Sequence, residues 1–229
     1  MKKFFIKFFL FIILLIIVAC SILFMIGFTT YSKALKEKPL LNRVSEITEN
    51  EHFIKYNDLS KDYINAVIAT EDHRYYDHGP VDFIGIFRAI FVNIKSKKLN
   101  EGGSTITQQV AKNIILSQEP SLSRKLAEIF GAFDLEKKYS KNEILELYVN
   151  TAYFGDGHYG IYDACHGYYN KEPKDLNLDE ASMLAGVPNA PSVYAPTVNP
   201  TLAKQRQKHV LNKMIEYGYI SEEEANSIR

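Results

Sequence analysis

The chain has 229 residues, of which 46% are hydrophobic and 24% are charged, and 27 basic side chains balance 27 acidic ones. This composition is too apolar for intrinsic disorder, and the length suits one or two domains. The first 28 residues hold three lysines and no acid, so the remainder has 24 basic against 27 acidic side chains and is not expected to bind nucleic acid. Two cysteines without a CxxC or HExxH pair argue against a disulfide-stapled fold and a structural zinc site.

The first predicted element is a helix that spans a membrane. Phe8 to Phe28 is a run of 21 residues without a charge, which at about 1.5 Å per residue matches a hydrocarbon core about 30 Å thick. Residues 1–7 form a short tail that usually stays in the cytoplasm, so the remaining chain is expected on the outer face. A cleaved signal peptide, or a lipoprotein signal ending at Cys20, is the alternative. Mostly apolar residues continue beyond Cys20, which favours an uncleaved anchor.

The rest of the chain has mainly helical periodicity. Residues 29–50 mix charges with few apolar positions and predict a stalk, followed by a short strand or hairpin around Phe53 to Tyr56. Residues 51–229 predict one mainly α domain. Helices are expected at about 60–70, 82–95, 105–116, 121–138, 179–186 and 201–217, and capping boxes at Ser140 and Ser221 open two more. Four prolines between residues 188 and 200 predict a rigid loop without a helix.

Three polar segments could carry chemistry. Residues 71–79 (EDHRYYDHG) follow a predicted buried helix. Such a cluster is usually a solvated helix end. A carboxylate at this boundary is partly desolvated, however, which suits a general base. Residues 102–109 (GGSTITQQ) combine a flexible turn with a capping box at Thr105, and such a helix N-terminus suits an anion. Arg124 and Glu128 lie opposite an apolar stripe and could be an exposed ion pair. Residues 95–125 nevertheless hold six cations and two acids, which indicates an anionic ligand.

Together with residues 141–150 and 206–211, these segments resemble, in order and spacing, the family 51 glycosyltransferases, the peptidoglycan glycosyltransferases, in their monofunctional form. The resemblance covers about residues 62–211, and GGSTITQQ is its most specific string. The family's five motifs correspond to residues 71–79, 103–109, 124–128, 141–150 and 206–211. Pro80 stands where the first motif usually has a glycine, and Tyr75 where it usually has a phenylalanine.

The resemblance implies a lysozyme-like helical domain behind a single N-terminal transmembrane helix in a bacterial cell membrane. It implies polymerisation of lipid II onto a lipid-linked glycan chain through β-1,4 linkages, with inversion and release of undecaprenyl pyrophosphate. Cell-wall synthesis proteins, including transpeptidases, are expected partners, and no transpeptidase domain is expected in the 18 residues after Leu211.

The same resemblance assigns site residues. It implies that Glu71 is the catalytic base and Glu128 a second catalytic carboxylate, which either organises the cations or binds a divalent metal, Mg²⁺ or Mn²⁺, with the pyrophosphate. No cofactor is expected to be required for the chemistry. The expected substrate-binding residues are Asp72, His78, Ser104, Thr105, Gln108, Gln109, Lys112, Asn113, Arg124, Lys125, Glu146, Asn150 and Arg206.

Two other functions stay open at this stage. A lytic transglycosylase or lysozyme-type hydrolase would share the fold class and a catalytic glutamate, but it would not need the cationic run. A catalytically inactive cell-wall scaffold is the second alternative, and Pro80 is the one hint of it. Apolar residues at 83–91 are numerous enough for a helix that dips into lipid, although core packing is expected for most of them.

Overall fold

The computed structural model describes residues 2–96, 102–116 and 119–228. Over these ranges the chain is helical, and its one β-type pairing is an isolated bridge between Tyr153 and Tyr159. The predicted mainly α fold is confirmed. The helices are α1 (Lys2–Glu37), α2 (Leu40–Thr48), α3 (Lys61–Glu71), α4 (Phe83–Ser96), α5 (Ile106–Ile115), α6 (Leu122–Lys138), α7 (Lys141–Thr151), α8 (Ile161–Tyr169), α9 (Leu178–Gly186), α10 (Pro191–Tyr194), α11 (Pro200–Glu216) and α12 (Glu222–Asn226).

The predicted membrane helix is present and is longer than expected. From Phe4 to Glu37, α1 is long and apolar enough to cross a bilayer, and its apolar side chains before Phe28 are mostly exposed. The helix ends before Pro39, because the residue preceding a proline is disfavoured in the α region. The anchor therefore continues without a break into the segment expected to be a stalk.

Residues 29–50, which the sequence predicted to be a stalk, form the end of α1 and the whole of α2, and both pack on the domain. Tyr31, Leu40 and Val44 are buried in the same core as the later helices. The expected strand around residues 53–56 is also absent, and a single 3₁₀ turn follows at Tyr56–Asp58. The amide of Asn150 bonds both main-chain polar groups of Ile54 at 2.7 and 2.9 Å, so this extended segment is paired by a side chain instead of a second strand.

Two helices in the second half of the chain were not predicted from the sequence. α8 was not predicted, because its N-cap residue is Gly160, which has φ +83° and no side chain to cap the helix, so the usual start signal is missing. The proline-rich segment contains the short helix α10, which begins at Pro191, and Pro200 is the first residue of α11. Proline is favoured at the first helical position because the N–H group it lacks would have no partner there.

The core positions the elements that carry the polar motifs. α3 packs between α9 and α11, while α5 packs between α6 and α7. Gly131 of α6 lies so close to α5 that an added Cβ atom would be 2.8 Å from the Ala111 side chain. The first motif, at the end of α3, is thereby held beside α5, α6 and α11.

Candidate active site

A polar cavity of about 360 Å³ lies where α3 ends and α5, α6 and α11 meet. The lining residues that the sequence predicted are Glu71, Asp72, Ser104, Gln109, Lys112, Arg124, Lys125, Glu128 and Arg206. Residues from all three polar segments and from α11 therefore share one site, as the resemblance implied.

Glu71, the last residue of α3, is held from two sides. Gln109 of α5 donates a hydrogen bond from Nε2 to its Oε2 atom at 2.8 Å. Arg206 of α11 brings Nη2 to within 3.9 Å of its Oε1 atom. The Glu71 side chain is 11% exposed. An oriented carboxylate at the wall of a cavity has the position required of a general base.

Glu128 organises three cations of α5 and α6. Its side chain is 3% exposed, with Arg124 Nε at 3.2 Å and Lys125 Nζ at 2.5 Å on opposite carboxylate oxygens. Lys125 also donates to Ser104 Oγ at 2.6 Å. Burial lowers the pKa of Lys112, an effect strengthened by the nearby guanidinium of Arg124 and opposed by the Glu128 charge. The alternative of an exposed ion pair is therefore wrong, because the shared carboxylate is desolvated.

Asp72 and His78 form a second buried pair, which holds the first motif against α5. Asp72 accepts from His78 Nε2 at 2.7 Å and from the Ile106 main-chain N–H at 3.0 Å. Burial acts to lower the pKa of His78, but the hydrogen bond and charge of Asp72 more than offset it and leave that pKa raised. Asp72 lines the cavity beside Glu71, whereas His78 does not.

The N-terminus of α5 is closed by the protein's own acceptors. Thr105 and Gln108 form a reciprocal capping box, and Thr105 Oγ1 donates to the Pro80 carbonyl at 3.0 Å. Both side chains are buried outside the cavity lining. Since the N–H groups of Thr105, Ile106 and Gln108 are already bonded, this terminus does not present them to an anion, contrary to the expectation from the capping box.

Glu146, Asn150 and Asn113 are not brought to the cavity. Glu146 accepts from the Tyr56 main-chain N–H at 2.8 Å, and Asn150 pairs with Ile54. Both therefore hold the segment before α3 in the described structure. Lys97, Lys98 and Glu101, which belong to the cationic run seen in the sequence, lie outside the described residues.

Sequence reasoning missed one side of the cavity. His73, Arg88, His209, Lys213 and Tyr217 also line it. Arg88 Nη1 lies 2.7 Å from His73 Nε2. Burial lowers the pKa of His73, and the charge of Arg88 lowers it further. Two signals could have found these residues. Arg88 is a lone charge in an apolar stretch of α4. On α11, Arg206, His209 and Lys213 fall at i, i+3 and i+7, one helical face.

The two departures from the first motif are accommodated. Pro80 contributes its carbonyl to Thr105, and the preceding Gly79 does not need a positive φ. The buried Tyr75 donates its hydroxyl to the Lys141 carbonyl at 2.6 Å. Neither substitution leaves a polar group unpaired, so the sequence hint of an inactive protein loses its physical basis.

The possible metal ligands already have cationic or N–H partners. Both oxygens of Glu128 are ion-paired, which favours its role in organising the cations. Asp72, His78 and Asp82 place one ligand atom each within 4.8 Å of one another. Arg74, however, donates to both oxygens of Asp82 at 3.1 and 3.2 Å, and a guanidinium at this distance repels a divalent cation.

An exposed apolar face lies on α4, next to the cavity residue Arg88. Core packing does not explain most of its apolar residues, contrary to expectation. The side chains at least half exposed are Phe83, Ile84, Phe87, Ile90, Phe91 and Ile94. An exposed apolar stripe of this kind is typical of a surface that meets another protein or a membrane.

Comparisons with known proteins show what this chain is similar to. A family model described as Transglycosylase matches residues 37–215. Penicillin-binding protein 1F of Bacillus subtilis (strain 168) is 45% identical over 178 residues, which cover 78% of this chain and 25% of that protein. Penicillin-binding protein 1A of Neisseria flavescens is 49% identical over 173 residues, covering 76% and 22% respectively. The chain spans about a quarter of the length of these curated relatives.

A solved structure is also similar. The 2.6 Å crystal structure of penicillin-binding protein 1A from Haemophilus influenzae matches with a TM-score of 0.46 and 23% identity, over 77% of this chain and 17% of that one. The family model alone covers most of the present sequence, including every motif that carried the resemblance. The chain therefore belongs to the transglycosylase family.

Proposed function

We propose that the chain is a peptidoglycan glycosyltransferase that polymerises lipid II into glycan strands. The observation that carries this proposal is the oriented carboxylate of Glu71 in a cavity walled by cations from α5, α6 and α11. A hydrolase that cleaves a neutral glycosidic bond has no need for such a wall, whereas a reaction that releases pyrophosphate does.

In this proposal Glu71 takes the proton from the 4-hydroxyl group of the acceptor sugar as that oxygen attacks the anomeric carbon of the donor. Gln109 and Arg206 hold the carboxylate in place. The bond from the anomeric carbon to the pyrophosphate breaks on the opposite side, so an α-linked donor gives a β-1,4 linkage. Lys112, Arg124 and Lys125 stabilise the charge that develops on the leaving oxygen.

The second cationic group supports a reaction between two lipid-linked partners. Arg88, Arg206 and Lys213 come from α4 and α11, separately from the three cations organised by Glu128. If both the donor and the acceptor carry a pyrophosphate, each needs counter-charges at the same cavity. We propose that Glu128 acts through its cations, and that the chemistry needs no bound metal, although Mg²⁺ or Mn²⁺ can accompany the pyrophosphate.

The membrane placement follows from the substrate. A polyprenyl-linked sugar must be met at the bilayer surface, and both the apolar helix α1 and the exposed face of α4 can enter lipid. We propose that the domain lies on the outer face of a bacterial cell membrane. Its proposed partners there are the growing glycan chain and other cell-wall synthesis proteins, including transpeptidases.

The test is polymerisation of lipid II by the purified protein and by Glu71→Gln. The variant keeps the shape and hydrogen bonding of the side chain but cannot accept the proton, so we expect a loss of about 10²–10⁴-fold with binding of lipid II retained. Asp77→Asn is the matched control, because Asp77 is an exposed acid in the same motif outside the cavity, and its rate should equal the parent's.

Three outcomes would contradict the proposal. Shortening of preformed glycan without chain growth would identify a hydrolase. Binding of lipid II without turnover by the parent would identify a scaffold. A Glu71→Gln rate within a few-fold of the parent would exclude Glu71 as the base. Addition of EDTA tests the metal separately, and polymerisation that stops completely would refute the metal-free chemistry.

A further inference from the structure

Arg43, in the segment first expected to be a stalk, joins the membrane helix to a helix of the active site. It lies on α2 and is half-buried. Its guanidinium donates three hydrogen bonds to main-chain carbonyls: Nη2 to Ala34 at 2.9 Å, Nε to Lys38 at 2.9 Å and Nη1 to Ile114 at 3.0 Å. The first two acceptors belong to the end of α1 and its exit, and the third to the end of α5.

These contacts match what two helix ends require. The last four carbonyls of a helix have no partner within it, and they form the negative end of its dipole. α1 ends at Glu37 and α5 at Ile115, so Ala34 and Ile114 are among these carbonyls. The Ala34 carbonyl also accepts from the main-chain N–H of Lys38 at 3.2 Å, and Arg43 uses its second lone pair. One planar cation with several fixed donors can serve both ends at once, which a lysine cannot do with the same geometry.

The same interface is close-packed on the membrane side of Arg43. A Cβ atom at Gly27 of α1 would lie 2.8 Å from Leu126 Cβ and 2.9 Å from the Phe130 ring of α6. Nearer to Arg43, Tyr31 donates to Asp134 of α6 at 2.7 Å. α1 is thus fixed against α6 by shape at Gly27, and against α5 by hydrogen bonds at Arg43.

We propose that Arg43 is a positioning residue that fixes the membrane helix against α5 and so sets the height and tilt of the cavity relative to the bilayer. This inference rests on the proposed function, since it assigns the reason for a rigid anchor. α5 carries Gln109 and Lys112, and a substrate embedded in the bilayer presents its pyrophosphate at a fixed depth. A flexible tether would let the cavity leave that depth, whereas the Arg43 contacts hold it there.

The test combines a distance measurement with two rate measurements on the full chain, in Arg43→Gln and Arg43→Ala. Spin labels are placed on the native Cys20 of α1 and on Lys174→Cys, since Cys20 is exposed while Cys165 is buried. Rates are measured with undecaprenyl lipid II in vesicles and with a short-chain lipid II analogue in detergent micelles. Lys38→Ala is the matched control, because its side chain pairs with Glu46 of α2 and does not reach α5.

We expect both Arg43 variants to broaden the distance distribution and to lower the vesicle rate by about tenfold, with the micelle rate within twofold of the parent. Lys38→Ala should change neither. Gly27→Leu separates α1 from α6, the other helix that fixes it, and should give the same pattern if the Arg43 variants do not fold. An unchanged distance distribution in folded variants, or equal losses in vesicles and micelles, would overturn the inference. If the parent is inactive in both systems, the proposed function fails. The distance measurement alone then shows whether Arg43 fixes the membrane helix against the domain.

Discussion

Replacing Lys112 by methionine should make the protein more stable and much less active. Lys112 lies on α5 at the cavity, near the cations Arg124 and Lys125, which pair with Glu128. The charges of Glu128 and Glu71 act on Lys112 in the opposite direction to these cations, but burial dominates. Methionine keeps an unbranched side chain of similar length and removes the charge. The variant therefore removes a partly desolvated cation and its repulsion from two neighbours without leaving a large void.

The sign of the stability change follows from the pKa of Lys112. Burial lowers this pKa in the folded state, so at neutral pH the charged side chain costs free energy on folding, and the cost vanishes only as the pH rises above the ordinary lysine pKa of about 10.4. Lys112→Met should raise the free energy of unfolding by about 0.5–1 kcal/mol at neutral pH. For a domain of this size, each kcal/mol of added stability raises Tm by roughly 2–4 °C.

The expected loss in polymerisation is about 10²-fold, the usual effect of removing one preorganised electrostatic group, or roughly 2.7 kcal/mol of transition-state stabilisation. Thermal unfolding in detergent and lipid II turnover are measured on the same preparations. Lys137→Met, at an exposed position of α6, is the matched control and should change neither quantity. A lower Tm with near-normal turnover in Lys112→Met would refute both parts of the reasoning.

Two further predictions concern the pH dependence and the membrane. Because the pKa of His78 is raised by Asp72, the stabilisation is complete below the ordinary histidine pKa and is lost as the pH rises through the raised one. At about pH 5.5, His78→Ala should therefore lower the free energy of unfolding by about 1–3 kcal/mol in addition to the effect of lost packing. At about pH 8.5 this additional loss should be clearly smaller. Denaturant unfolding at both pH values checks this, and equal losses would contradict it. For the membrane, a chain starting at Lys33 should still bind liposomes through α4, and Phe87→Ser with Phe91→Ser should abolish most of that binding in a flotation assay, whereas unchanged flotation would exclude a lipid-dipping face.

Local signals in the sequence were sufficient for most helices. The capping boxes predicted at Ser140 and Ser221 are both formed, because a capping box is closed by residues only three apart. The meeting place of the motifs was also predicted, since the motif residues at 71, 109, 124 and 128 line one cavity. Here the resemblance supplied what spacing alone could not, namely that distant segments come together.

The failures arose where the outcome depends on a tertiary partner. The helix α2 is short, with no side-chain N-cap, and its burial follows from packing of Leu40 and Val44 on helices far along the chain. The N-terminus of α5 was expected to face an anion, but Asp72 already occupies its Ile106 N–H. In the apolar helix α4, periodicity alone could not decide between core and lipid, because both environments select the same side chains.

The two faces of α6 connect the anchor to the site. Its buried polar face holds Glu128 with the cations of the cavity, while Leu126 and Phe130 pack on α1 at Gly27. The lipid-linked pyrophosphate of the proposed reaction has the same division, with a charged group joined to an apolar chain. A helix that touches the membrane anchor on one side and carries cations on the other can meet both parts of this molecule only if its rotation is fixed. Gly27 and Gly131 permit the close approach to α1 and α5 that fixes it, so in this fold two glycines outside the cavity lining determine where the cations of α6 lie.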